Sequence, residues 1–204
     1  MSSRRSAALH ALILAAGASR RFGSPKQLVR VDGQSLLQRA VVHATGLLGA
    51  GVTVVLGAHA AIIAETLPPG SAGILINRNW QEGIASSIRI GVQRLSGACD
   101  GVMLVLADQP LVSSETLLRL ITAWRRQPRQ IIASRYGSVT GVPAIFPRWC
   151  FSDLAALRGD QGARVLIRRY ADHVVRLAHP EAAVDIDYPE DLLEIAASET
   201  RGSS

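Results

Sequence analysis

Cysteine and aromatic residues are scarce in this sequence. The few cysteines exclude a disulfide scaffold, and the few aromatic residues limit the composition of the core. The two cysteines among the 204 residues, Cys99 and Cys150, form neither a CxxC pair nor a zinc-ligand spacing. A disulfide scaffold is therefore excluded, the cysteines are expected to be core or surface residues and not metal ligands, and a reducing cytoplasm is the expected setting. Aromatic residues make up 4% of the chain and hydrophobic residues 48%. The core must then consist of aliphatic side chains, which favours buried strands covered by helices.

Long apolar runs and basic–aromatic tracts are also missing. No apolar run approaches 18 residues, and the basic start is followed by a short apolar stretch that ends at Gly17. We therefore expect neither a membrane helix nor a signal peptide. The net charge of +6 comes from 22 Lys and Arg against 16 Asp and Glu, with the arginines scattered. This charge suits small polyanionic ligands as well as nucleic acid, and we expect a soluble cytoplasmic protein that binds neither membrane nor nucleic acid.

Strand and helix patterns alternate along the first two thirds of the chain. They predict strands at 9–15, 52–56, 74–76 and 101–106, and helices at 35–48, 59–67, 84–95 and 113–126. This alternation predicts an α/β fold, a Rossmann-like three-layer sandwich whose mostly parallel sheet carries helices on both faces. We expect a single domain over 1–204, with its core at about 8–198.

The remaining part of the chain is less regular. Its patterns predict strands near 130–134, 142–146, 174–177 and 183–186, and helices near 148–157, 161–170 and 188–197. Ligands of open α/β sheets bind beyond the carboxyl ends of the strands. This rule directs attention to the segments that follow Leu14, Leu56, Ile76 and Leu106.

A loop of small residues follows the first strand and carries three cations. The segment LAAGASRRFGSPK spans 14–26 and contains Arg20, Arg21 and Lys26. Small residues let the backbone approach a ligand, and successive N–H groups can bind anionic oxygens. The loop matches neither GxxxxGK[ST] nor GxGxxG. By itself the pattern leaves two interpretations open, a triphosphate-binding loop and a simple connection.

Two acidic residues lie at predicted strand ends. Asp108 follows a buried strand in LADQP, where it is suited to hold Mg²⁺ against a triphosphate or, equally, to act as a turn residue. Asp187 lies in VDIDYPED, where Glu190 three residues later also fits a capping box. The five histidines form no pattern and are expected to be scattered surface or half-buried residues.

These strings together resemble the molybdenum cofactor nucleotidylyltransferase family, within the nucleotide-diphospho-sugar type of transferase. LAAGASRRFGSPK is similar to its LAAGxSxRMGxxK, and the segments LADQP and DIDYPED are similar to its metal-binding strings. NWQEGIASS, GVPAIF and GDQGAR resemble N-W-x-x-G-x-x-S-S, GxPxxF and GDxGAR. The resemblance runs in order over about residues 9–197.

The resemblance assigns a role to each matching residue. It implies that Lys26, Asp108 and Arg20 are catalytic and that Asp108 and Asp187 bind Mg²⁺ or Mn²⁺. The NTP-binding residues it implies in the N-terminal half are Leu14, Ala15, Ala16, Gly17, Ser19, Arg20, Lys26 and Gln109. The acceptor-binding residues, which extend into the C-terminal part, are Asn79, Ser86, Ser87, Gly141, Pro143, Asp160 and Arg164.

The resemblance further implies a reaction. LAAG at 14–17, in place of LAGG, is similar to the cytidylyl branch, whose members transfer CMP from CTP to molybdopterin and release pyrophosphate. The product would pass to a molybdenum hydroxylase of the xanthine dehydrogenase type. Two alternatives stay open: transfer to another phosphorylated small molecule, and a catalytically silent module that delivers the molybdenum cofactor.

A nicotinamide-dependent oxidoreductase is the rival from another enzyme class. It requires an acidic residue about 20 positions after the glycines, to bind the ribose. Asp32 is too close to the loop and the next acid is Glu65, so the spacing disfavours this class.

Overall fold

The computed structural model describes residues 7–95, 97, 99–186, 188, 190 and 191, and its centre is one seven-stranded sheet. The strands are β1 (Leu9–Ala15), β2 (Arg30–Val31), β3 (Gln34–Ser35), β4 (Val52–Leu56), β5 (Gly73–Ile76), β6 (Gly101–Leu106), β7 (Ile131–Tyr136), β8 (Val139–Pro147) and β9 (Val174–Ala178). The helices are α1 (Leu36–Leu48), α2 (Ala60–Glu65), α3 (Ile84–Leu95), α4 (Ser114–Arg126), α5 (Phe151–Ala156) and α6 (Arg164–Arg169).

The large sheet has the order β5-β4-β1-β6-β8-β7-β9. All its neighbouring pairs are parallel except those of β8, which runs antiparallel to both β6 and β7. β2 and β3 form a separate hairpin. The predicted mostly parallel α/β fold is thus confirmed.

Alternating side chains of β1 face the two layers of helices. Ala11, Ile13 and Ala15 belong to one buried cluster, which includes residues of α1, α2 and α4. Leu12 and Leu14 belong to the other, which includes residues of α3, α5 and α6. Because successive strand residues point to opposite faces, a near-continuous apolar strand is buried on both sides.

Capping residues set the start of two helices. Ser35 accepts a hydrogen bond from the N–H of Gln38, whose side chain accepts one from the N–H of Ser35, a reciprocal capping box. Ser113 accepts from the N–H of Thr116 at the start of α4. No helix in the described part of the chain is long and apolar enough to cross a membrane.

One predicted strand is wrong. Residues 183–186 form no strand: a short 3-10 helix ends at Ala183, and irregular chain follows. The N–H of Ile186 donates to the carbonyl of Asp108 at 3.0 Å, so this segment crosses the end of β6 and does not extend the sheet. The predicted helix near 188–197 and the metal-binding prediction for Asp187 lie outside the described residues.

Candidate active site

A cleft of about 570 Å³ lies at the carboxyl edge of the parallel strands. Parallel strands that share an edge bring the segments following them together, and here the segments after β1 and β6 meet the one after β5. The lining residues are Leu14, Ala15, Ala16, Gly17, Ala18, Ser19, Arg20, Arg21, Lys26, Gln27, Trp80, Gln81, Gly83, Ile84, Ser87, Leu106, Ala107, Asp108 and Asp160.

Gln27 holds the glycine-rich loop in shape. Its buried side-chain amide donates to the carbonyls of Ala15 at 3.0 Å and Gly17 at 2.8 Å. Its Oε1 lies 3.3 Å from the hydroxyl of Ser19, and that hydroxyl also accepts the N–H of Lys26 at 3.1 Å. The side chain therefore ties both ends of the loop together. The sequence interpretation did not single out Gln27, because a glutamine after a lysine carries no distinctive signal.

The loop presents backbone donors to the cleft. Ser19 has φ 53°, in the left-handed region, and turns the chain sharply. Within the described part of the chain, the N–H groups of Gly17, Ala18 and Arg20 donate to no other residue. Successive N–H groups around a left-handed residue form an anion-binding concavity. The loop is thus suited to bind the oxygens of a polyphosphate.

Lys26 and Asp108 form an ion pair inside the cleft. The Nζ of Lys26 lies 2.6 Å from Asp108 Oδ2, and both side chains are largely buried. The same Nζ donates to the carbonyl of Ile186 at 2.9 Å. Lys26 is the only lysine of the chain, since every other basic residue among the 22 Lys and Arg is arginine. A compact ammonium beside a carboxylate thus distinguishes this point of the cleft.

The Asp108 carboxylate fits a divalent cation. Its Oδ1 is buried and has no hydrogen-bond partner among the described residues. A hard cation takes oxygen ligands, and magnesium commonly uses one or two carboxylates together with phosphate oxygens and water. Within the described residues no group of three His, Cys, Asp or Glu side chains could hold a metal ion. A cation at Asp108 would therefore take further ligands from the nucleotide, from water, or from Asp187.

Asn77 organises the opposite wall of the cleft. Its buried amide donates to the hydroxyls of Ser86 at 2.7 Å and Ser87 at 3.0 Å, and its Oδ1 accepts the N–H of Asn79 at 3.0 Å. Ser86 donates onward to the carbonyl of Gly83. Ser87 lines the cleft, whereas Ser86 and Asn79 do not. Asn77 was missed from the sequence because a lone asparagine after a strand is an ordinary turn residue.

Gly83 fits closely against the turn that carries Asp160. Gly83 has φ +98°, and a Cβ at this position would lie 2.4 Å from both Asp160 Oδ1 and the Gly159 carbonyl. The N–H of Ala85 also donates to the Gly159 carbonyl at 3.1 Å. The absence of a side chain at Gly83 thus lets two distant segments meet at one wall of the cleft.

Four further residues predicted from the sequence lie away from the cleft lining. Gln109 is buried and its amide donates to the carbonyl of Ala182 at 2.7 Å. Pro143 is buried in β8 and follows a cis peptide bond. Gly141 faces Tyr136 and Arg164, and Arg164 lines a second, separate basin.

Burial raises the pKa of the Tyr136 hydroxyl, and the neighbouring Arg164, which hydrogen-bonds to it, acts in the opposite direction. A Cβ on Gly141 would lie 2.5 Å from that hydroxyl and 3.5 Å from Arg164 Nε. Gly141 therefore leaves room for the Tyr136–Arg164 pair, which accounts for the glycine in GVPAIF.

The structure thus brings together most, but not all, of the residues predicted to act. Those that line the cleft are Leu14, Ala15, Ala16, Gly17, Ser19, Arg20, Lys26, Asp108, Ser87 and Asp160. Those that do not are Gln109, Asn79, Ser86, Gly141, Pro143 and Arg164. Trp80 and Gln81 line the cleft without having been singled out from the sequence.

Two curated proteins resemble this chain over nearly its whole length. One is nicotine blue oxidoreductase of Paenarthrobacter nicotinovorans, 28% identical over 197 residues, which are 90% of this chain and 94% of that protein. The other is the purine catabolism protein PucB of Bacillus subtilis, 28% identical over 198 residues, or 92% of this chain and 95% of PucB.

Solved structures show the same architecture. Rv0371c of Mycobacterium tuberculosis is 29% identical with a TM-score of 0.81, covering 93% of this chain and 99% of that one. A manganese complex of Rv0371c matches at 26% identity and a TM-score of 0.74, with coverage of 92% and 97%. The family model described as MobA-like NTP transferase domain matches residues 11–174. The chain therefore belongs to the MobA-like NTP transferase family and is a nucleotidyltransferase.

Proposed function

We propose that this nucleotidyltransferase moves CMP from CTP to the phosphate of molybdopterin or molybdenum cofactor and releases pyrophosphate. An oxygen of the acceptor phosphate attacks the α-phosphorus, and the bond between that phosphorus and the α–β bridging oxygen breaks. The acceptor phosphate is already ionised at neutral pH, so no side chain has to remove a proton. The observation that carries the proposal is the Lys26–Asp108 pair facing the glycine-rich loop in one cleft.

The chain's own residues supply positioning and positive charge. Phosphoryl transfer depends mainly on holding the reactants in line and on neutralising charge that develops on the phosphate oxygens. The N–H groups of Gly17 and Ala18 are suited to the polyphosphate oxygens, and Lys26 and Arg20 add two cationic side chains to the lining of the same cleft. Gln27 keeps the loop in this conformation, since its amide binds two loop carbonyls.

A divalent cation, Mg²⁺ or Mn²⁺, completes the proposed site. Such an ion neutralises phosphate charge and orients the triphosphate. Asp108 would hold it through the oxygen that has no partner in the described residues, and Asp187 is proposed as the second carboxylate. The solved manganese complex of Rv0371c supports a cation in a related protein.

Three residues of the cleft lining support the choice of CTP and of the acceptor. Ala16, the residue that distinguishes LAAG from LAGG, is buried and lines the cleft, so its methyl group narrows the space there. Asp160 and Ser87 lie in the same cleft and are proposed to contact the acceptor. The name of PucB, a purine catabolism protein, agrees with a receiving enzyme of the xanthine dehydrogenase type.

An oxidoreductase activity is the alternative suggested by the name of one relative, nicotine blue oxidoreductase. Nicotinamide dinucleotides need an acidic residue at the end of the second parallel strand, to bind the ribose. In this chain β4 is followed by Gly57, and a Cβ there would lie 2.5 Å from Trp80 Cβ. This position leaves no room for a carboxylate side chain, which favours nucleotidyl transfer.

The experiment that tests the proposal follows the label of CTP into the product. With [α-³²P]CTP, Mg²⁺ and molybdopterin, we expect label in the acceptor, whereas label in the γ-position should leave as pyrophosphate. Phosphatase-treated acceptor is the matched control, and it should receive no label. Equal labelling of treated and untreated acceptor would contradict the phosphate as nucleophile.

A further inference from the structure

A second concave surface lies beside the turn between β7 and β8. This basin has a volume of about 450 Å³ and is formed by that turn, by α6 and by the chain entering β9. Its lining residues are Ser138, Val139, Thr140, Arg164, Ile167, Arg168, Ala171 and Arg176. Three of these eight are arginines and none is acidic, so the lining is strongly positive.

Neutral groups hold two of the three arginines in place. Arg164 hydrogen-bonds to the hydroxyl of Tyr136. Arg176 donates to the carbonyls of Val174 and Ala171, each at 3.3 Å. These contacts orient the guanidinium groups without cancelling their charge. Arg168 forms no hydrogen bond or ion pair with any residue that the structure describes.

Several arginines outside the basin have a carboxylate partner. Arg89 pairs with Glu82 at 2.6 Å, and Arg148 approaches Asp100 at 3.8 Å. Arg169, next to Arg168 on α6, lies 3.7 Å from Asp153. The arginines that line the basin have no carboxylate partner among the described residues, whereas the adjacent Arg169 does. This difference distinguishes the basin from an ordinary solvated helix face.

We propose that the basin binds an oxyanion of the phosphate class. Guanidinium groups bind phosphate through two parallel N–H donors, and several of them can surround one anion. The hydroxyls of Ser138 and Thr140 have no partner in the described part of the chain and supply two further donors. Ile167 adds a buried apolar side chain to the lining.

The basin adjoins the cleft through one short segment. Asp160 lines the cleft and Arg164, four residues later, lines the basin. An acceptor whose reacting phosphate lies in the cleft would reach the basin with a second anionic group by crossing this segment. That source of the anion rests on the proposed transfer reaction, whereas binding of a free phosphate ion does not.

The first measurement uses inorganic phosphate as the probe. Phosphate is titrated into the ¹⁵N-labelled full chain, and the amide signals of Thr140 and Ala171 report the basin while that of Gly17 reports the cleft. We expect saturable shifts at Thr140 and Ala171. The dissociation constant obtained from these shifts should rise by about tenfold or more in the Arg168→Gln/Arg176→Gln variant, since each lost contact is a charged hydrogen bond.

The matched control neutralises two exposed arginines on the opposite helical layer, Arg125→Gln/Arg126→Gln, so that net charge changes equally. It should retain the wild-type shifts at Thr140 and Ala171. An equal loss of phosphate affinity in both double variants would show a general charge effect and would overturn the proposed site. Absence of saturable shifts at these amides in the wild-type chain would overturn it as well.

The second measurement identifies the source of the anion. If the basin receives part of the acceptor, Arg168→Gln/Arg176→Gln should raise the acceptor KM about tenfold or more and leave the CTP KM unchanged. Phosphate binding without a change in acceptor KM would support the basin as a site for a free phosphate ion. Because the titration needs no turnover, it tests the basin even if the proposed reaction fails.

Discussion

The Nζ of Lys26 lies 2.6 Å from Asp108 Oδ2, so the only lysine of the chain forms an ion pair with the proposed metal ligand. Under the proposed function, Lys26 would exchange this carboxylate for phosphate oxygens when a nucleotide binds, and a cation would take the place of the ammonium group at Asp108. The proposal therefore links nucleotide binding to metal binding at this point of the cleft.

Replacing Asp108 by asparagine should lower kcat by about 10²- to 10³-fold while the fold persists. The variant keeps the size of the side chain but removes the charge that would hold a cation, and one lost preorganised group costs about 10²- to 10³-fold in rate. The measurement is kcat, together with Mn²⁺ affinity by electron paramagnetic resonance in the presence of CTP. A variant with wild-type kcat and Mn²⁺ affinity would contradict the assignment of Asp108.

Replacing Lys26 by alanine should cost about 2–4 kcal/mol of transition-state stabilisation, measured from kcat/KM for the nucleotide. Lys26→Arg should recover only part of this, because the planar guanidinium cannot occupy the position of a compact ammonium. In the wild type, CTP with Mg²⁺ should also protect the single lysine side chain from an amine-selective reagent. Unchanged labelling with saturating CTP would mean that Lys26 does not contact the nucleotide.

Replacing Gln27 by leucine should disturb the loop without touching the reacting groups. The variant leaves the carbonyls of Ala15 and Gly17 without their donor, which costs about 1–3 kcal/mol for each buried unsatisfied group. We expect a higher nucleotide KM and a lower free energy of unfolding in urea. Gln93→Leu, at an exposed position of α3, is the control and should change neither quantity.

Replacing Ala16 by glycine tests the origin of base selectivity. Removing this buried methyl group widens the cleft, and one methyl group is worth about 1–3 kcal/mol in discrimination. The ratio of kcat/KM for GTP to that for CTP should therefore rise by about tenfold or more. If this ratio stays at the wild-type value, Ala16 does not select the base.

The parts of the fold that sequence could predict are those set by local rules. The bounds of α1 and α4 follow from capping side chains at Ser35 and Ser113, and those of β6 from an apolar run. The wrong strand at 183–186 shows the limit of such rules. Alternating burial of Val184, Asp185 and Ile186 imitates a strand, but the N–H of Ile186 donates to the carbonyl of Asp108 at the end of β6 and not to a neighbouring strand.

The candidate site could be predicted where several rare residues follow successive strands. Lys26 and Asp108 are distant in sequence, yet the adjacency of β1 and β6 brings them together. Asn77 and Gln27 could not be found this way, because each acts through buried hydrogen bonds that depend on the tertiary fold. Arg164 was linked to the acceptor by resemblance, and the structure places it in the basin outside the cleft, so its contact with the acceptor stays a prediction.

The free energy of unfolding should fall as the pH is lowered below about 6.5. Burial lowers the pKa of His10, His43 and His179 in the folded chain. Between the folded and the unfolded pKa, the unfolded chain therefore binds protons that the folded chain does not bind. This contribution to the free energy of unfolding is complete above the unfolded pKa and declines as the pH falls toward the lowered folded pKa values.

His179 should contribute most clearly to this decline. The hydroxyl of Ser134 donates its hydrogen to the carbonyl of Pro143, so the N–H at His179 Nδ1 must donate to the Ser134 oxygen. The other ring nitrogen, Nε2, is buried and has no partner among the described residues. Urea unfolding measures the free energy of unfolding at pH 7.5 and at pH 5.5. The difference between these two values should be smaller in His179→Gln than in the wild type. His173→Gln, at an exposed position, should leave the difference unchanged. Equal differences in all three proteins would contradict this role of His179.

The most direct test of the proposed function is pyrophosphate release with Mg²⁺ and purified molybdopterin, with CTP, GTP, ATP and UTP offered in parallel. We predict release with CTP, little with the other three nucleotides, and release about 10²- to 10³-fold slower in Asp108→Asn. Release with GTP in preference to CTP would overturn the choice of base and keep the reaction. Folded protein that releases no pyrophosphate with any of the four would contradict nucleotidyl transfer to molybdopterin.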